Sequence, residues 1–114
     1  MPTKLQTLEG RVRRIKAELN RLGELRPGVL SPQYNVCGTP SCRCKATPPR
    51  RHGPYYQLSW SRKGKSATRF VRRVELRSVH AQIKAYRRLQ QLIDAWIAAS
   101  LEICEIKRQQ ARQN

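Results

Sequence analysis

The sequence predicts an α+β chain: an N-terminal amphipathic helix over residues 1–27, a zinc-stapled loop with a small β-hairpin over 28–73, and a long closing helix over 74–114. Three observations predict it. Apolar residues recur at helical spacing at both ends, three cysteines and a histidine crowd the middle, and an alternating run with a glycine turn follows them at once.

The first helix rests on Leu5, Leu8, Val12, Ile15, Leu19 and Leu22, which step by three and four residues as a coiled-coil seam does. Thr3 is placed to cap its start, and Pro27-Gly28 is expected to stop it after Leu25. Gly10 and Gly23 each weaken it by about 1 kcal/mol relative to alanine, so it needs a partner helix. Val29 to Val36 reads as an extended connector, because Pro27 and Pro32 forbid regular helix. Val29, Leu30, Tyr34 and Val36 are apolar enough to pack on the module that follows.

Tyr55 to Trp60 alternates, with Tyr56, Leu58 and Trp60 on one face. That face is expected to form the core of the module. Ser61 to Lys65 supplies a basic turn with Gly64 near its tip, and Ser66 to Val71 returns as the second strand. From Val74 to Gln110 neither proline nor glycine interrupts the pattern. Val79, Tyr86, Leu89, Ile93, Trp96 and Ile103 share one seam, which Ile83, Leu92, Ile97, Leu101, Cys104 and Ile106 widen on both sides. A stripe that wide predicts more than one neighbour: the first helix, packed antiparallel, and a second copy of the chain in a homodimer. Cys104 is expected in that stripe as a buried small apolar residue.

A chain of 114 residues with 39% hydrophobic and 6% aromatic residues has little apolar surface for a large core, so a metal or an oligomer interface is expected to supplement it. The Cys/His cluster meets the first need. Zinc prefers four tetrahedral sulfur and nitrogen ligands, and Cys37, Cys42, Cys44 and His52 offer four in a loop rich in glycine and proline. Gly38, following Cys37, lets backbone N–H groups turn toward a thiolate. With all four positions filled by protein, such a site stabilises the fold and performs no chemistry. The single residue between Cys42 and Cys44 is tighter than the usual two, and makes a disulfide between them geometrically awkward. His80 has no second ligand set near it and reads as a surface or interface histidine.

Charge carries the functional expectation. There are 24 Lys and Arg against 7 Asp and Glu, a net +17, and not one acid lies between Leu25 and Val74. Such an excess repels itself in a folded body unless a polyanion neutralises it. Nucleic acid is the expected partner, DNA in preference to RNA. Arg43, Lys45, Arg50, Arg51, Arg62, Lys63, Lys65, Arg69, Arg72 and Arg73 are the candidate phosphate contacts, and Tyr55 the candidate for stacking on a base. No catalytic set of nucleophile, base and acid, no phosphate-cradling glycine loop and no paired carboxylates occur in the module, so no enzyme is expected. The N-terminal stretch lacks the apolar core of a secretory signal, and no run is long enough to span a membrane. A cytoplasmic location, where clustered thiols stay reduced, is therefore expected.

Tyr34-x2-Cys37-Gly38-x-Pro40-x-Cys42-x-Cys44, then His52-Gly53-Pro54-Tyr55-Tyr56-x-Leu58-x-Trp60, then Lys63-Gly64-Lys65 and Thr68-Arg69, resembles a family of short prokaryotic proteins of unknown function. Its members are similar in a leading helix, a Cys/His-and-hairpin centre and a long closing helix, and look like cargo of mobile elements and phages. The hairpin is also similar to small basic β units with which some integrases hold DNA arms. Where members of the family commonly carry a proline after the second strand, this chain has Arg72-Arg73, so its strand-to-helix junction is expected to differ. Together with the charge, which points to DNA, the resemblance to mobile-element cargo leads to the expectation of an accessory or regulatory DNA-binding protein of a mobile element. An RNA-binding protein, or an interaction or inhibitor module on a larger nucleoprotein complex, remains the alternative.

Overall fold

A computed structural model describes residues 1–48 and 50–113; Pro49, within the cysteine loop, and Asn114, at the end of the expected closing helix, lie outside the described residues. In chain order the elements are α1 (Lys4–Arg21), β1 (Val29–Asn35), β2 (His52–Arg62), β3 (Lys65–Val71) and α2 (Leu76–Gln113), with single 3-10 turns at Arg43–Lys45 and Arg73–Glu75. The class is α+β. The chain divides into a helical unit, Met1–Leu25 with Lys84–Asn114, and a sheet unit, Arg26–Ile83.

In the sheet unit three antiparallel strands lie in the order β1-β2-β3. Leu58 in the middle of β2 faces Leu30 on one side and Arg69 on the other. It is 0% exposed and clusters with Val71, Val79 and Ile83, while Leu30, Tyr56, Trp60 and Leu76 pack around them. The alternation of Tyr56, Leu58 and Trp60 therefore does what it predicted: one face of β2 is core. Burying each such aliphatic side chain contributes about 1.5–3 kcal/mol.

The connector expected at Val29–Val36 is in fact a strand. Pro32 forbids helix and cannot donate to a ladder, but β1 is an edge strand, where an absent N–H costs nothing if it faces outward. Leu30 packs inward, whereas Val29, Tyr34 and Val36 are exposed. Gly28 opens the strand with φ +140, and a β-carbon there would stand 2.8 Å from Leu58 Cδ1. The hairpin turn is shorter than the five residues expected. Arg62 pairs with Lys65 across Lys63 and Gly64, both at positive φ (52 and 77), as a two-residue type I′ turn requires.

In the helical unit, Thr3 caps α1 as expected: its hydroxyl accepts from the Gln6 N–H at 3.1 Å, and the Gln6 side chain accepts from the Thr3 N–H at 3.0 Å. The helix ends at Arg21, short of the expected Leu25, with Leu22 already extended (φ −66, ψ 138). Gly23 brings no side chain to the seam and Leu25 is exposed, so no burial offsets the propensity cost of another turn. Leu8 and Ile15 of α1 and Leu92 and Ala99 of α2 are the buried residues of this unit. Lys4 pairs with Glu102 at 3.4 Å, and Arg88 grips Glu18 through two guanidinium nitrogens, so the helices run antiparallel. Hydrogen bonds from Arg88 hold the Glu18 carboxyl below the usual carboxylate range. The Lys16 ammonium lies 5.1 Å above the Trp96 ring, a cation–π contact between the same two helices.

One helix cannot cover the whole stripe of α2. Ile93, Ile97 and Leu101 remain exposed, at 41%, 54% and 66%. Cys104, expected to be buried, continues this uncovered line and is exposed. The reason is angular: residues stepping by four drift off the line that faces α1.

Candidate metal centre

Among its described residues the loop between β1 and β2 has few interactions beyond the cysteines and a handful of backbone hydrogen bonds. β1 and β2 lose register between Gln33 and Asn35, and Asn35 then pairs with His52. This irregularity carries the chain out of the sheet just before Cys37 and returns it at His52. Gly53, beside the histidine, has φ +131, and a β-carbon on it would meet the Gln33 carbonyl oxygen at 2.6 Å. Only glycine allows the two strands to close up there.

Cys42 caps the start of the 3-10 turn Arg43–Lys45 and Cys44 lies within it; Lys45 N–H donates to the Cys42 carbonyl at 2.9 Å and Ala46 N–H to that of Arg43 at 3.0 Å. The turn is what makes the one-residue spacing workable. Cys37 Sγ lies 3.5 Å from Cys44 Sγ, and Cys42 Sγ lies 3.1 Å from His52 Nε2. The four donor atoms all fall within 4.8 Å of one another.

A tetrahedral ion with sulfur at about 2.3 Å has sulfur–sulfur edges of roughly 3.8 Å, so the cluster has the right size for one ion. It has the wrong size for a disulfide, whose sulfurs lie about 2.05 Å apart; all four cysteines are free. Cys37, Cys42, Cys44 and His52 are thus positioned to bind a metal ion through three sulfurs and one imidazole nitrogen. Hydrogen bonds from the Thr39 backbone, His52 and the neighbouring thiols pull the Cys37 thiol down to about 6. Burial pushes Cys44 the other way, although the Cys37 N–H donates to its sulfur at 3.4 Å. Cys37 is the sulfur most ready to be a thiolate, the form that ligates metal.

A family model described as a domain of unknown function, DUF6788, matches residues 5–81. The match spans more than half of the chain. This protein belongs to the DUF6788 family. No curated protein and no solved structure matches it. The DUF6788 match runs from α1 through the metal loop and all three strands into the start of α2.

Within this DUF6788 chain the sequence-predicted basic residues form separate groups. Arg43, Lys45, Arg50 and Arg51 are exposed around the metal loop, and Arg62, Lys63 and Lys65 are exposed at the turn. His52, beside the first group, and Arg62, in the second, begin and end the eleven residues of β2, whose ends stand about 33 Å apart. The metal cannot hold the turn in place. Arg72 and Arg73 border a groove of about 350 Å³ with Tyr55, Tyr56 and Phe70. Arg69 belongs to the opposite face, opposite Leu58, where it borders a recess with Arg26, Pro27 and Trp60.

Phe70 was not expected at a site. It is 71% exposed and pairs with Gln57, which puts it on the same face as Tyr55 (46% exposed). The signal was available in principle, since Phe70 is out of phase with Ala67, Arg69 and Val71. Only the register set by the Lys63-Gly64 turn tells which phase is the outer one.

Proposed function

We propose that this chain is a nucleic-acid-binding protein whose sheet unit, stapled by a structural zinc ion, binds duplex DNA through its phosphates. The observation that carries the proposal is the separation of charge: eleven Lys and Arg and no Asp or Glu between Leu25 and Val74, all in one folded unit. A neutral or mixed surface would serve solubility equally well, whereas a unit with Glu75 as its one acid, at the far end of a wholly acid-free stretch, is suited to a polyanion.

Zinc fits the donor set best, because three sulfurs and one nitrogen in tetrahedral reach suit it over magnesium, calcium or manganese. When bound, the ion fixes the loop. Arg43, Lys45, Arg50 and Arg51 are then presented from one rigid body, and Arg62, Lys63 and Lys65 from the turn. The ends of β2 that carry or adjoin them stand about 33 Å apart, close to one turn of duplex, about 34–36 Å. The two groups can therefore meet phosphates one helical repeat apart on one side of the DNA.

The exposed line Ile93, Ile97 and Leu101 supports a homodimer through α2. No helix among the described residues is long and apolar enough to cross a membrane, and a reduced Cys/His cluster suits a cytoplasmic setting. A closed four-ligand site supports a binding role over an enzymatic one. The resemblance to cargo of mobile elements supports an accessory or regulatory role there.

The test is fluorescence anisotropy of the zinc-loaded protein on labelled duplex DNA across a salt series. A footprint of about six phosphates predicts a log–log slope near −5. A slope near zero, or no binding at low salt, would refute the proposal.

A further inference from the structure

One face of the sheet is core; the other is covered by nothing else in the sheet unit. Successive outward positions on β2 are Tyr55, Gln57 and Ser59, and β3 places Phe70 and Thr68 beside Gln57 and Ser59. The polar members are ordinary for a solvated face. The two aromatic rings are not, because an exposed phenylalanine on an edge strand gains nothing from water and invites aggregation.

Tyr55 and Phe70 are diagonal neighbours across β2 and β3, about 7–8 Å apart. They border the same groove, which Arg72, Arg73, Gly53 and Pro54 also line. At about 350 Å³ it lies at the small end of the range for ligand sites, about 300–1,000 Å³. Bases in a duplex are stacked on one another at about 3.4 Å and offer no π-face to a side chain, whereas unpaired bases do. Diagonal positions spaced at about twice the stacked rise leave each ring room for one of two neighbouring bases that have come apart. Guanidinium groups beside the rings suit the phosphate that links those bases. The groove also starts one residue after His52, so the metal loop braces it.

We propose that this face binds an unpaired stretch of DNA, two successive bases lying on Tyr55 and Phe70 and their phosphate held by Arg72 and Arg73. The proposal rests on the nucleic-acid-binding function above and specifies what the aromatic face takes. Charge complementarity selects a polyanion, and the exposed ring pair selects an unpaired one. Duplex DNA with a single-stranded gap or overhang would then engage both the basic groups and the aromatic face.

The test compares wild type, the double variant Tyr55→Ala with Phe70→Ala, the aromatic-keeping variant Phe70→Trp, and the control Lys63→Ala with Lys65→Ala. Each is titrated onto fluorescein-labelled single-stranded DNA, the matched duplex and the matched RNA. Stacking is worth about 5–150-fold per base, so the double alanine variant should lose at least about 25-fold on single-stranded DNA and less than about twofold on duplex. Phe70→Trp should keep single-strand affinity. The Lys63 and Lys65 control should weaken duplex and single strand alike. Both aromatic residues are exposed, and an unchanged metal content and circular dichroism spectrum confirm that the variant is folded.

Equal losses on duplex and single strand would overturn the proposal, as would no loss on the single strand. RNA bound tenfold more tightly than the matched DNA would overturn the choice of DNA. Duplex binding without single-strand binding in the wild type would sink the aromatic site alone. Failure to bind any of the three would remove the proposed function itself.

Discussion

Replacing Cys44 by serine should release the metal and unfold the loop around it while leaving the sheet standing. Cys44 is 1% exposed, and it is the only fully buried residue among the described residues between Val36 and Arg51. Among its described residues the loop otherwise has four backbone hydrogen bonds of its own, from the N–H groups of Cys42, Lys45, Ala46 and Arg50. A metal held by the four ligands would tie Cys37 to His52, closing a loop of about sixteen residues, and a tie of that length is worth about 3 kcal/mol in chain entropy. A serine hydroxyl left in the buried site without a metal adds about 1–3 kcal/mol. The total, about 4–6 kcal/mol, matches or exceeds the roughly 4 kcal/mol that these four hydrogen bonds return at about 1 kcal/mol each. The core of Leu58, Val71, Val79 and Ile83 contains none of these residues. Hydrogen–deuterium exchange should therefore show protection lost from Val36 to Arg51 and kept at Gln57 to Trp60, with metal content falling from one per chain to zero. Collapse of protection across the whole sheet would refute the view that the metal braces only one end of it. Retention of one equivalent of metal would refute the ligand assignment.

Leu58→Ala, at a fully buried position between two strands and a helix, should cost about 3–5 kcal/mol in denaturant unfolding and leave metal stoichiometry unchanged when the protein is folded. Gly53→Ala should destabilise by more than about 1 kcal/mol and lower metal affinity, because the new methyl must push away the Gln33 carbonyl beside His52; a thermal melt and a competitive chelator titration read the two effects, and an unchanged melt would count against the strained closure. Ile97→Glu with Leu101→Glu should convert a dimer to a monomer in light scattering at unchanged helix content, since both side chains are already exposed in the single chain. A wild type that is monomeric at every concentration tested would rule out that interface.

Much of the site was legible from residue types alone. Four metal-ligating side chains within a short proline- and glycine-rich segment can hardly be arranged without meeting, and the structure brings all of them together. The basic residues were legible as a population but not as a surface. Arg69 and Tyr55 looked equivalent in sequence, yet strand register sends them to opposite faces. β1 reads as a connector in sequence because Pro32 speaks against a central strand, and sequence does not say which strand is at the edge. The wide stripe of α2 was visible, but not which part α1 would cover, so Cys104 was misplaced.

Composition and periodicity by themselves determined the helices, the inward face of β2, the metal donor set and the concentration of positive charge, because each depends on neighbours within a few residues. The third strand, the emergence of Phe70 beside Tyr55 and the uncovered line on α2 were decided only by tertiary structure. Each of those depends on register or on packing angle. Register is set by a two-residue turn and a strand irregularity, and a shift of one residue there would exchange every inward side chain of a strand for an outward one.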